Sequence, residues 1–242
     1  AWEFGPGKRF AVGSWPAAVG YKAPGDDAIN RALPAWIKAA IPAPGQRVQP
    51  LSPSDLGGAK AVAGEAGRNE DEAKRRGTLL HLLLEHLPNT PKDVWPQVGR
   101  ALLNAFDIAD PAETETLLAE ACAVLDAGSL GALFQGDALR EVALSGRPEA
   151  LGGRLVVGAI DRLIIAPDHI LAVDFKSNAV VPRDVGEVPE GILRQMGAYG
   201  AMLEDIYPDR RIDLAIVWTR TAQLMPLPLN IVREALMRHT LP

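Results

Sequence analysis

Residues 152–178 read GGRLVVGAIDRLIIAPDHILAVDFKSN, and two acids and a lysine within them sit at a spacing that can do chemistry: Asp161 and, thirteen residues on, Asp174-Phe175-Lys176. Each lies in apolar sequence that reads as one of two adjacent strands, and burying carboxylates beside a lysine is costly unless something uses them. Residues i and i+2 of a strand share a face, so Asp174 and Lys176 point one way while Val173 and Phe175 point the other. A turn at Ala166–His169 centres a hairpin in which Asp161 and Asp174 fall nearly opposite, with side chains about 5 Å apart. Two carboxylates that close repel unless a cation sits between them. Oxygen ligands in this arrangement suit Mg2+, which takes one or two carboxylates, waters and a substrate phosphate. Lys176, on the same face, can orient or activate a water and offset charge on the phosphate. The alternative is a surface Asp–Lys pair with an unrelated acid nearby.

Three further groups could join. His81 and Glu85 lie four apart in a leucine-rich helical stretch and so share a face. His81 is either a satisfied core histidine or the completing ligand of a His/Asp/Asp metal shell. The next histidine, His86, is five residues on and no Glu follows His81 directly, which argues against a zinc H-E-x-x-H site. Gln195 and Tyr199, one helical turn apart, are candidate hydrogen-bond donors to a phosphate or to a water near Lys176; each alone is equally a polar-face residue. Glu141, near Val142 and Leu144 of an earlier strand, is a possible inward-facing acid that could hold water, metal or Lys176.

Several elements must position these groups. Residues 69–87 form a helix with acids in its first turn and Pro88 at its end. Helices are also expected at 91–106 and at 111–127, the latter opening at Pro111 and closing at Gly128. From about 138 the period changes, giving strands over 138–146, 153–166 and 169–177. A helix over 189–207 follows, between Pro189 and Pro208, then strands over 211–219 and 223–229 and a closing helix over 230–239. The fold class is therefore α/β, a mixed central sheet flanked by helices, with a helical region in front of it. Residues 1–50 are rich in Pro and Gly, with Trp2, Trp15 and Trp36 spaced like anchors. They read as a linker or arm with one short helix around 32–40, or as an arm packed on its own domain. The expected domain is 51–242, helical over 51–135 and mixed α/β over 136–242.

Composition narrows the classes. An apolar content of 48% and a charged content of 23% belong to a globular protein with a sizeable core. No apolar run approaches the roughly 18 residues of a spanning helix, and no secretory leader opens the chain. One cysteine, Cys122, excludes a disulfide framework, a cysteine-based zinc site and a four-cysteine iron–sulfur cluster; a reducing, cytoplasmic setting is expected. The chain starts with Ala in mid-pattern, as a piece of a larger protein would. Residues 1–60 carry seven Lys/Arg against four Asp/Glu, whereas the remainder carries eighteen against twenty-six, for a net charge of −5. A protein that gripped nucleic acid alone through counterion release would show a basic excess. Either nucleic acid is not the partner, or another part of an assembly supplies the grip.

Taken in order, the segments read G-x-x-x-H-x-x-x-E (Gly77, His81, Glu85), E-V-x-L (Glu141), G-x-I-D-R (Gly158, Asp161, Arg162), D-F-K (Asp174, Phe175, Lys176) and Q-x-x-x-Y (Gln195, Tyr199). The set resembles the RecB-type branch of the PD-(D/E)XK nuclease superfamily. Within it, LPAWI, PLSPSDL, RGTLLHLLLEHLP and AIVWT resemble the C-terminal nuclease domain of the AddA-type helicase–nuclease family of alphaproteobacteria, over about residues 32–230. The resemblance implies a restriction-endonuclease-like core in which His81, Asp161, Asp174 and the Phe175 carbonyl bind Mg2+ (or Mn2+). It further implies Lys176 as the catalytic lysine, with Gln195 and Tyr199 assisting at the phosphate; Glu141, which matches the E-V-x-L motif, is counted with the catalytic candidates. The implied reaction is hydrolysis of single-stranded DNA in double-strand-break repair and recombination. The strand would be fed by a helicase region of the same polypeptide beside an AddB-type partner subunit, with no membrane involved. Ser177-Asn178 departs from the family, which often has Thr there. Some relatives carry an iron–sulfur cluster that Cys122 alone cannot build, so none is expected. No G-x-x-x-x-G-K-[ST] occurs, so ATP would be used only outside these residues. The competing readings are a catalytically silent nuclease fold used for DNA binding or docking, and a protein-interaction domain whose acids are structural.

Overall fold

In the computed structural model, residues 49–61, 70–106, 110–136 and 138–238 are described. Most of the expected arm, with its three tryptophans and the short helix around 32–40, lies outside the described residues.

Five strands form one sheet in the order β1-β2-β3-β4-β5: β1 Leu139–Gly146, β2 Val156–Ile165, β3 His169–Lys176, β4 Arg211–Trp218 and β5 Gln223–Leu227. All neighbours run antiparallel except β3 and β4, which are parallel and joined by the helix α4, Glu190–Ile206. That exception follows from chain length: parallel neighbours need a crossover, and seventeen helical residues supply it. The sheet is mixed and helix-flanked, as the change of period at 138 predicts.

Alternation along β3 and β4 sorts their side chains onto two faces. Ile170, Ala172, Ile212, Leu214, Ile216 and Trp218 pack against α4 and the closing helix α5, Leu229–Met237. Val173, Phe175, Ala215 and Val217 pack instead against the N-terminal helices. These are α1 (Glu70–His86), α2 (Trp95–Asn104) and α3 (Pro111–Asp126). The leucine stripe of α1, Leu79, Leu80, Leu83 and Leu84, is almost wholly buried on this face. α3 starts where its cap dictates: the Asp110 side chain accepts from the Ala112 amide at 2.9 Å, and Pro111 takes the first helical position. α4 and α5 approach closely because Gly197 has no Cβ, which would otherwise collide with the Val232 carbonyl.

Three boundaries differ from expectation. The stretch 91–106 opens with a 3-10 turn, Lys92–Val94, before α2. β2 starts at Val156 rather than at 153, because Gly152 and Gly153 adopt φ of 63° and 67° after a 3-10 turn at Glu149–Leu151. Pro228 ends β5 and caps α5 at once. The PLSPSDL segment docks on the sheet: Leu51 bridges Val156, and Pro53 seats against Gly158. Among the described residues, no helix is long and apolar enough to cross a membrane.

Candidate active site

The β1–β2 ladder pairs Arg140 with Arg162 and Val142 with Ile160, and skips the pair between them, Glu141 and Asp161. The β2–β3 ladder closes up to Arg162–Val173 and stops before Asp161 and Asp174. By register, Glu141, Asp161 and Asp174 thus form one row across three strands, at the level where both ladders open. The expected hairpin register is met.

The opening has a local cause. Glu141 has φ 44°, a left-handed conformation unusual for a residue with a Cβ. Across it the strands change phase. Arg140 and Arg162 both reach toward α1, donating to the Glu85 and Leu84 carbonyls, whereas Val142 and Ile160 pack on the α4 side. Residues two apart would ordinarily share a face, so the reversal frees Asp161 to reach sideways rather than into either core.

Asp161 uses that freedom. Its Oδ2 accepts from the Phe175 amide at 2.6 Å, and its Oδ1 lies 3.3 Å from His81 Nδ1. His81 projects from α1 and places Nε2 3.1 Å from the Phe175 carbonyl, with its ring edge-on to the Phe175 ring. Burial opposes charge on His81, but the Asp161 carboxylate, which accepts its hydrogen bond, outweighs it, and the imidazole is raised to about 9. Both ring nitrogens then donate, one to the carboxylate and one to the carbonyl. Burial likewise works against an ionised Asp161; His81, Lys176 and the Phe175 amide outweigh it and hold the carboxyl below its ordinary range.

Asp174, on the α4 face, is 2% exposed. Its Oδ1 accepts from Gln195 Nε2 at 2.8 Å and its Oδ2 faces Lys176 Nζ at 2.5 Å, a charge contact rather than an aligned hydrogen bond. Lys176 Nζ donates to Gln195 Oε1 at 3.1 Å, so Gln195 bridges acid and amine. Burial and the nearby Asp161 push the Asp174 carboxyl up, against the pull of Lys176. Tyr199 donates to the Ala159 carbonyl at 2.6 Å and sits 3.5 Å from Gln195. Burial and the two aspartates lift its phenol well above 10, so it remains a donor. Gly158 lets this packing close, since a Cβ there would press on the Pro53 ring and the Tyr199 ring.

An open cleft of about 490 Å³ gives access to the row, lined by His81, Glu85, Glu141, Phe175 and Lys176 among others. Glu141, expected as a possible inward-facing acid, is exposed on its wall; burial and the Asp161 charge raise its carboxyl. Three groups, His81, Glu141 and Asp161, offer ligand atoms within 4.8 Å of one another. Asp174 lies outside this trio, held by Gln195 and Lys176. Once His81 gives up a proton to an incoming ion, one imidazole, two carboxylates, a carbonyl and a second buried acid are nitrogen and oxygen donors of the type divalent ions such as Mg2+ and Mn2+ take, so the residues fit such an ion.

Arg162 has a role that the sequence left unassigned. It is 1% exposed, with its guanidinium 5.1 Å from the Phe134 ring centre and 5.9 Å from that of Phe175. Burial and neighbouring Arg140 lower it to about 10. A polar residue inside a strand gives no sign of such burial; only the aromatic partners, distant in sequence, explain it.

The His81–Asp161 pair carries a pH signature. A histidine raised from 6.5 to about 9 on folding stabilises the fold fully below pH 6.5 and loses that contribution as pH climbs to about 9. In chelator, the melting temperature should fall across this window, and His81→Gln should flatten the slope. Equal slopes for both proteins would show that the ion pair does not form.

The profile of the PD-(D/E)XK nuclease superfamily matches residues 57–227. No curated protein matches the chain.

Proposed function

Because the chain belongs to the PD-(D/E)XK nuclease superfamily, we propose that it is a Mg2+-dependent DNA nuclease domain that hydrolyses phosphodiester bonds of single-stranded DNA. The observation that carries this reading is the Lys176 ammonium, held by Gln195 and Asp174 in the cleft that His81 and Glu141 also line, with Asp161 against His81.

Asp161, Asp174, His81 and the Phe175 carbonyl would hold the ion, with Glu141 in reach. The ion would supply Lewis acidity at the scissile phosphate and offset the charge of the row. The chain's own groups do the rest. Lys176 orients a water and stabilises the charge that grows on the phosphoryl oxygens. Gln195 fixes the amine, and Tyr199 fixes Gln195 through the carbonyl of Ala159. Asp161 anchors β3 through the Phe175 amide, so the D-F-K run keeps its position as substrate enters.

The finer assignment is to an AddA-type helicase–nuclease acting in double-strand-break repair and recombination in the cytoplasm. A helicase region of the same polypeptide would deliver the strand, beside an AddB-type subunit. The net charge of −5 supports delivery by a motor, since a domain fed its substrate needs little electrostatic grip of its own.

Asp174→Ala tests the reading. The variant should lose Mg2+-dependent degradation of labelled single-stranded DNA while keeping its circular dichroism spectrum. Undiminished cleavage would overturn the assignment. Metal binding by the parent chain in calorimetry, with no cleavage under any feed of single strand, would point instead to a silent nuclease fold used for docking.

A further inference from the structure

We infer that Phe106 is a stacking platform for an unpaired base beside the scissile phosphate, so that the cleft selects single-stranded over duplex nucleic acid. The inference deepens the nuclease reading and rests on it.

Phe106 is 53% exposed, while every other described Phe, Trp or Tyr is buried or half-buried. An exposed ring alone means little. Its placement means more, because Phe106 lines the same cleft as His81, Glu141 and Lys176. Just past the end of α2, the Phe106 amide donates to the carbonyl of the fully buried Leu103 at 3.0 Å, which ties the backbone of Phe106 to that helix end. The same cleft is also lined by the polar side chains of Lys74, Thr78 and Asn178. An aromatic ring next to polar and cationic groups at a phosphate-cleaving centre matches a nucleotide, whose base needs a flat apolar partner and whose phosphate needs charge.

Stacking also explains how an acidic domain would hold a strand. Its grip need not come from counterion release if part of it comes from ring-on-base contact. In the interior of a duplex both faces of each base are covered by neighbours, so away from a duplex end Phe106 can stack only on a base that has left the helix.

The test compares Phe106→Ala, Phe106→Leu and Phe106→Trp in the 242-residue chain with Mg2+ and a labelled oligonucleotide. For single-stranded substrate, KM should rise about 10-fold in the Ala and Leu variants, with a far smaller change in kcat, and Trp should retain parent behaviour. The affinity ratio between parent and Phe106→Ala should hold constant as salt is raised. A strand with abasic sites should bind the parent as weakly as the Ala variant binds the normal strand. Parent-like behaviour of the Leu variant, or an abasic penalty equal in parent and Ala variant, overturns the stacking role and leaves the nuclease reading standing. A parent chain that neither binds nor cleaves single strands overturns both.

Discussion

Lys176→Ala is expected to lower the single-turnover rate of metal-dependent DNA cleavage by about 10²- to 10³-fold, the usual cost of removing one preorganised donor to developing charge. The geometry supports so large an effect. Nζ is 3.1 Å from Gln195 Oε1 and 2.5 Å from Asp174 Oδ2, so its position is set before substrate arrives. A flexible surface lysine would have to order itself in each turnover; this one does not. Lys176→Arg should recover little, because a planar fork cannot occupy the place of a compact ammonium between Gln195 and Asp174. Truncation leaves the buried Asp174 without its cation, so the thermal melt is recorded beside the rate and the comparison is made well below the melting temperature of the variant. The rate change is thereby separated from unfolding. A Lys176→Ala protein within about threefold of the parent rate would deny the lysine any role in charge stabilisation.

Arg162→Ala carries the largest expected effect on stability, a loss of about 3 kcal/mol. Its guanidinium lies against the rings of Phe134 and Phe175, which stack on each other with centres 6.0 Å apart, and ties β2 to the Leu84 carbonyl of α1. Truncation opens a cavity beside the Phe134 and Phe175 rings and takes the Arg162 donor from the Leu84 carbonyl. Arg162→Met separates these contributions. It refills the volume without the charge, and replacing a buried cation with an apolar side chain of similar size is often neutral. Met should therefore restore most of the stability. It should not restore the link from β2 to α1 next to His81, so weaker metal affinity should persist. Urea denaturation checks the first statement and calorimetry the second. If Ala and Met destabilise equally, packing is not what Arg162 supplies.

Much of the site was legible because its logic is periodic. The pairing of Asp161 with Asp174 follows from one hairpin centre, and the shared face of Asp174 and Lys176 from strand alternation. Gln195 and Tyr199 follow from one helical turn. Glu141 is the instructive miss in detail. Its register opposite Asp161 continues the ladder on either side, yet its left-handed backbone and the reversal of faces around it leave no trace in hydrophobic pattern. Arg162 and Phe106 were hidden for another reason. What each does depends on contacts between elements far apart in the chain, Phe134 and α1 for one, the mouth of the cleft for the other. The arginine falls within the G-x-I-D-R motif, but no spacing rule says that it is buried.

The opening between β2 and β3 has one further consequence. On its β4 side β3 is paired through Lys176, but on its β2 side the Phe175 amide is held by the carboxylate of Asp161 instead of a backbone carbonyl. Most amides in a central strand exchange with solvent deuterium only when a large part of the domain opens. This one is guarded by a single side chain. Its exchange rate therefore reads out whether Asp161 is at its post, giving a spectroscopic window on the site that needs neither substrate nor turnover.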